Sequence, residues 1–518
     1  MNYKKEAYLF VAYFFGNGFM LVNNGVIWED WTVFDMESAG LAQQFGENGF
    51  GFMVPVHRAL NGSIYSPLLY HWLSFFLLFG AYVFIHRILK QFSVDENSAF
   101  LTTLLAMLAP YYETKNLMIC MPYALFLLSF CWGLYLVFGY YEGRREIKGL
   151  VAGVLLLFFS FFLNSLIPMF LCVYTLFFFV SNDFSMAAFK SKSRHYLFLL
   201  GGLLFLPFLF WVFKKAFFPV KGLYASSGYN VINLSIKELP SQLKMVFMEN
   251  VVGIYDEFVR LLVYDVDFGL FAIVASAAVC ALVLRRSSFK TGCNKNIFRY
   301  ALAGMILFFV GAFPYLIVGK LPRYFVYDTR HQILLSIGVA LFTYALVISL
   351  PLILRKTAYF VFLLTFLVNT VSGNINFLRG WIKIEALQHD IRKLDMGGGG
   401  TILTTGFDGQ LNATENPLTF YELSGIFKST LGRQDCFFVH NKHAKAIINM
   451  TPGILEHAKK FNMRDYKTTD PSGVKTLGVK YNTQKMAYFD VLISTKLYYG
   501  KKEMFQMNID SILSVEIK

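Results

Sequence analysis

Apolar residues in this chain gather into long blocks parted by short polar breaks, rather than alternating or recurring with a clean amphipathic period. Blocks of about 20 residues are the length at which a helix crosses a bilayer core, and shorter ones fit re-entrant or broken segments. Eleven such segments are predicted: 6–27, 66–86, 99–111, 117–139, 149–163, 166–181, 196–213, 269–284, 299–318, 332–354 and 357–371. Only Asn164, Ser165 and Pro168 break the fifth from the sixth, which makes that pair a candidate re-entrant hairpin. The first block follows a basic start, but no small-residue cleavage site comes after it, so it is expected to be a retained first helix.

The polar breaks carry a charge bias that orients the helices. With the N-terminus inside, the inner loops hold seventeen Lys and Arg and the short outer loops hold five. Eleven crossings then leave the remainder of the chain outside. Two domains are expected: 1–371, a polytopic α-helical membrane module, and 372–518, a soluble α/β domain. Within the latter, 401–405 (TILTT) and 435–439 (DCFFV) read as buried strands, and the alternation in 486–495 (MAYFDVLIST) suggests another. Helices are predicted over 417–432 and 452–461, and the glycines at 397–400 are predicted to form a turn.

Composition agrees with lipid as the solvent. Only 15% of the residues are charged, against roughly 25% in soluble chains. With 57 Phe and 30 Tyr the chain carries too much apolar surface for disorder or a coiled coil. Of the 47 Lys and Arg behind the net charge of +14, nineteen lie after residue 371 and the rest between the hydrophobic spans, so no nucleic-acid partner is expected. Six scattered cysteines without paired spacing read as free thiols. No acidic, basic or His residue is expected clearly inside a span, which argues against proton relays and ion-coupled transport.

Candidate chemistry concentrates in the loops expected outside. Glu29 and Asp30 lie between Trp28 and Trp31 where the first helix ends. A carboxylate partly desolvated there has a raised pKa and can take a proton from a sugar hydroxyl, while the competing reading is an aromatic belt with solvated acids. The late loop gathers Lys320, Arg323, Tyr324, Arg330 and His331, donors suited to the phosphate of an anionic lipid or, alternatively, rim residues at helix ends. His57, Arg58, Glu113, Lys115, Asp256 and Glu257 are candidates for an acceptor cavity. No His or Cys spacing indicates a metal, although a divalent cation such as Mg or Mn held by oxygen ligands leaves little trace.

The acidic pair directly after a first helix, a basic late loop and a soluble domain after the last helix together resemble the GT-C membrane glycosyltransferases. GKLPRYFVYDTRHQ and FYELSGIFKSTLG are also similar to segments of bacterial polysaccharide-cluster membrane proteins. The resemblance implies a sugar donor linked to polyprenyl phosphate, a glycan or glycolipid acceptor, and a bacterial inner membrane with the second domain outside. It implies Asp30 or Glu29 as base in an inverting transfer, with Lys320, Arg323, Tyr324 and Arg330 on the lipid phosphate. Alternatives are a polysaccharide polymerase, a transporter of lipid-linked sugars, and a non-catalytic scaffold of envelope assembly.

Overall fold

A computed structural model describes residues 3–181, 201–221, 225, 237–285, 287, 289, 294–324, 327–394, 400–407, 409–414, 416–432, 436–440, 475–483 and 486–517. The helix predicted over 452–461 and most of the glycine run lie outside these residues.

Among the described residues, five helices are long and apolar enough to cross a membrane: Ser66–Gln91, Met118–Tyr141, Val266–Leu284, Ile297–Leu316 and Leu352–Ile391. Three more, Ile147–Ser160, Leu166–Phe177 and Leu335–Ser349, are apolar but shorter. At 1.5 Å per residue, a 15-residue helix covers about 22 Å, less than the roughly 30 Å hydrocarbon core. The described helices therefore do not supply the eleven crossings expected. The first segment likewise divides into the helix Tyr3–Asn17 and a 3-10 turn Gly18–Val22.

Around a large apolar core the helical body also turns big apolar side chains outward. Large apolar side chains such as Ile353, Val274, Phe298 and Leu155 face outward, while Asn17, His71, Thr102, Asn369 and Asn374 are buried. This distribution fits a lipid surround. Close helix contact is made through glycine: a Cβ on Gly338 would lie 2.5 Å from the Phe308 amide, and one on Gly304 2.6 Å from that of Phe342. The helices Asn294–Leu316 and Leu335–Ser349 thus meet backbone to backbone.

His71 corrects the expectation that the spans lack ionisable groups. It lies within Ser66–Gln91, fully buried, with Nδ1 2.6 Å from the Asn23 carbonyl and Nε2 2.8 Å from the Asn116 carbonyl. His86 is buried in the same helix. Their apolar neighbours masked them in the hydropathy pattern, and His71 ties the chain after the first helix to the turn Glu113–Asn116.

Leu352–Ile391 runs for 40 residues, about 60 Å. Residue 372, the domain boundary expected, falls midway along it. Past that point Trp381, Ile382, Leu387 and Ile391 stay buried, now against the tail. Asp390 accepts a hydrogen bond from the Val515 amide (3.1 Å), and Trp381 packs edge-on to Tyr498 (4.7 Å). Among the described residues the tail holds a four-stranded sheet in the order β2-β1-β3-β4: β1 (Gly400–Thr405), β2 (Cys436–His440), β3 (Lys475–Tyr481) and β4 (Leu513–Ile517). Both partners of β1 are parallel, and β4 is antiparallel to β3.

The strands at 400–405 and 436–440 match the sequence expectation, as does the helix Phe420–Leu431. That helix starts at a Thr419/Glu422 capping box and stops at left-handed Gly432. Of the stretch 486–495, residues 488–495 are helical instead of extended, within Tyr488–Gly500. There the alternation was local, and Tyr488, Val491, Ser494 and Thr495 form a helical stripe facing inward.

Replacing Gly338 by Ala should destabilise the helical body by about 1–3 kcal/mol, because no side-chain movement relieves a Cβ against backbone. Gly253→Ala, whose Cβ would meet no atom of the described residues within 4 Å, should leave the thermal midpoint of the detergent-solubilised protein unchanged.

Candidate functional site

The chain leaves Asn23 in extended form and enters a 3-10 turn, Trp28–Thr32. Trp28 has a φ of 55°, a left-handed conformation that is strained for an aromatic residue. Three contacts hold it there. Its amide donates to Glu422 Oε1 (2.9 Å), its ring stacks on Tyr327 at 4.3 Å and 4°, and the Arg330 guanidinium lies 4.8 Å from its ring centre. Arg330 also faces Glu29 across 3.5 Å.

Asp30 is fully buried. Its Oδ1 accepts from the Ile119 amide at 2.9 Å, and its Oδ2 has no donor in hydrogen-bonding geometry among the described residues. Burial pushes this carboxyl up to about 8, against the pull of neighbouring amides, with the Glu29 charge adding to the rise. A carboxyl so tuned can exchange a proton near neutral pH.

A second polar loop, between the helices Glu96–Leu108 and Met121–Tyr141, supplies another buried pair. Tyr112, left-handed at φ 60°, opens the turn Glu113–Asn116, in which every residue is buried. Burial raises Glu113 to about 8, the Glu257 charge adds to this, and Lys115 opposes it. Burial lowers Lys115 to about 8 against the attraction of Glu113. The Glu113 carboxyl occupies space that only glycine leaves open, since a Cβ on Gly373 would sit 2.5 Å from its Oε1. The Thr114 amide donates to Thr329 Oγ1 (3.1 Å), which joins this loop to the late loop.

In the late loop, Lys320 is half-buried and lowered to about 8, first by burial and then by Arg330. His331 is buried against Tyr315 at 4.6 Å, where desolvation and then Arg330 and Lys320 hold the ring neutral. It is a packing residue rather than a phosphate donor. Tyr324 is raised by burial and then by Glu113 and Glu257, so it borders the second loop.

The sequence-predicted residues thus divide. Glu29, Asp30, Lys320 and Arg330 converge, while Glu113, Lys115, Tyr324 and Glu257 form a second group, joined to the first through the Thr114–Thr329 hydrogen bond. Arg323, Arg58 and Asp256 lie exposed, and Arg58 caps the Ser38 carbonyl instead (3.2 Å). His57 is enclosed between Phe45 (4.2 Å) and Tyr70, whose hydroxyl is 2.6 Å from Nδ1, and burial lowers it to about 4. That enclosure removes it from any open acceptor cavity.

Several site residues were not anticipated. Glu422 comes from the tail: its Oε2 accepts from the Thr419 amide (2.7 Å) and hydroxyl (2.9 Å), while Oε1 holds Trp28. Burial raises this carboxyl too. The T-x-x-E spacing at 419–422 marks the helix cap but not the contact across the fold. Gly425 in the same helix leaves room for the Trp31 ring, 2.7 Å from where its Cβ would be. Also unforeseen is an apolar groove of about 190 Å³ lined by Phe247, Val251, Ile254, Phe308, Phe342 and Phe366 among others. Asn250, next to Val251 in its wall, donates to the Pro322 carbonyl (3.0 Å) and accepts from Gln332. The groove wall is thereby fastened to the basic loop.

Among the described residues no three His, Cys, Asp or Glu side chains group closely enough to hold a metal ion. Comparison with protein-family models and with curated proteins finds no match to this chain.

Glu422→Ala should leave the strained Trp28 amide without its acceptor and lower stability by about 1–3 kcal/mol. Glu422→Gln, which keeps an acceptor oxygen, should lose less. Thermal unfolding followed by tryptophan fluorescence distinguishes the two.

Proposed function

We propose that the chain is a membrane glycosyltransferase that moves a sugar from a polyprenyl-phosphate donor to a glycan or glycolipid acceptor. The observation that carries this reading is the meeting of a buried carboxyl, Asp30, with the Glu29–Arg330 pair, from loops nearly 300 residues apart. The apolar groove fastened to the basic loop gives an isoprenoid tail a place beside Lys320 and Arg330. In this reading the protein lies in a bacterial inner membrane, with its N-terminus cytoplasmic and residues beyond the long helix outside.

Asp30 accepts the proton of the acceptor hydroxyl as its oxygen attacks the anomeric carbon. The new glycosidic C–O bond forms on the face opposite the breaking bond to phosphate oxygen, so the configuration inverts. The bonding electron pair leaves on the lipid phosphate, where Arg330 and Lys320 stabilise the growing negative charge. Trp28, fixed by Tyr327 and Glu422, sets the position of both Glu29 and Arg330.

Two outcomes follow. Asp30→Asn and Arg330→Ala should each abolish transfer of one sugar, seen by mass spectrometry of glycolipids and surface polysaccharide at matched membrane levels; unchanged glycans in both would instead support the scaffold reading. In a purified assay the rate should climb with pH through about 8, because the base works only when ionised and its pKa is raised to that value. A flat profile between pH 6 and 9 would remove Asp30 from the role of base.

A further inference from the structure

The tail helix Tyr488–Gly500 is anchored at both ends to places where apolar helices begin or end. At its start the Tyr488 amide donates to Asp265 Oδ2 (2.8 Å), while Oδ1 of the same carboxylate accepts from the Phe268 amide (3.1 Å) and caps the span Val266–Leu284. One carboxylate thus sets the N-termini of a tail helix and a membrane span side by side. At the other end the Tyr499 hydroxyl donates to the Val22 carbonyl (3.1 Å), where the 3-10 turn after the first helix closes. Asn24 donates both to the Tyr498 hydroxyl (3.3 Å) and to the Ile64 carbonyl (3.0 Å), just before the span Ser66–Gln91 begins. A 13-residue helix is about 20 Å long. Because both its ends lie where spans end, it runs along the boundary of the apolar body rather than away from it into water.

Its two faces differ. Tyr488, Val491, Ser494 and Thr495 are buried. Phe489, Ile493 and Lys496, which share the opposite face by helical spacing, are exposed among the described residues. The Phe489 ring lies 5.6 Å from that of Phe268 and 5.5 Å from that of Phe271, and Phe271 belongs with Leu270 and Val274 to the outward face of its span. Phe489 therefore extends a surface that faces lipid, and Ile493, 54% exposed, follows it one turn on. At the far end Trp72 and Tyr499 expose their rings while their polar atoms turn back to the Leu21 and Val22 carbonyls. Aromatic residues take this placement where acyl chains give way to head groups. A single exposed apolar side chain is ordinary on a surface in water, whereas a stripe continuous with a lipid-facing span marks contact with a membrane. Lys496 on the stripe and Lys501 and Lys502 at its end are exposed as well, with stems that can lie on apolar surface while the ammonium reaches a lipid phosphate.

We propose that the exposed face of Tyr488–Gly500 is a membrane-contact surface, on which Phe489 and Ile493 enter the boundary between head groups and acyl chains of a phospholipid leaflet and Lys496 meets lipid phosphate. The inference needs only that the helical body sits in a bilayer, and it is independent of the transferase reading. Lipid then supports the tail from one side while Glu422 seats it on Trp28 from another.

The test is carbene footprinting of the full-length protein in nanodiscs, read by mass spectrometry, with the diazirine carried on the phospholipid acyl chain close to the head group, at the chain end, or on a water-soluble reagent. The peptide holding Phe489 and Ile493 should be labelled severalfold more by the shallow lipid reagent than by either of the others. The middle of the span Val266–Leu284 should be labelled most by the chain-end reagent, which provides the reference for depth. Labelling of the Phe489–Ile493 peptide chiefly by the water-soluble reagent overturns the proposal, because the face then lies in water. Protection from all three reagents overturns it too, since protein then covers the face. Nanodiscs holding one copy and two copies of the chain test the remaining occupant. Lipid labelling should be the same in both; its loss in the two-copy discs assigns the face to a second copy and overturns the membrane contact.

Discussion

A carboxyl group withdrawn from water is the constraint around which the loops are arranged. Asp30 is reached by one firm donor, the Ile119 amide, and burial outweighs that bond, so the proton affinity of the carboxyl is raised. Such a group persists only in a rigid surround, since a loosened loop would admit water and return it to its ordinary acidity. The rigidity is supplied from far away in sequence. Trp28 is held in a strained backbone conformation by Tyr327, Arg330 and Glu422, and the second loop is tied to the late loop through Thr114 and Thr329.

The long helix transmits this order to the tail. Its first half packs in the apolar body, where Asn374 donates to the Gly16 carbonyl (2.9 Å). Its second half carries the sheet, with Lys383 and Arg379 donating to the Gln410 and Asn412 carbonyls. Because one continuous hydrogen-bonded rod spans both regions, the tail cannot rotate freely as a tethered domain would. It is a wall of the site, with Glu422 and Gly425 seated against the first loop.

The sequence makes the helical, lipid-facing class legible because blocks of apolar residues have few other physical explanations. The short strands at 400–405 and 436–440 and the helix from Thr419 were readable for similar local reasons, apolar runs and a capping box. The domain boundary was not, since hydropathy falls near 372 while the helix continues through Arg379 and Lys383, whose partners are carbonyls over 25 residues ahead. Glu29, Asp30 and Arg330 stood out by residue type beside helix ends. Glu422 and Arg379 did not, because their importance lies in contacts across the fold that no local pattern encodes. His57 and His331 misled for the converse reason: a histidine in a loop looks accessible until the aromatic rings that enclose it are known.

The charges around the acidic pair also order the steps of the proposed transfer. In the free protein Arg330 shares its guanidinium between Glu29 and the Trp28 ring. A donor phosphate entering beside Lys320 and Arg330 competes with Glu29 for that cation. A Glu29 carboxylate released from Arg330 acts more strongly on its neighbour Asp30, and its charge already raises the proton affinity of Asp30. Donor binding would therefore make Asp30 the stronger base at the moment an acceptor hydroxyl must lose its proton. As the bond to phosphate breaks, the leaving group gains charge and draws Arg330 further, so the same cation that prepares the base also receives the product.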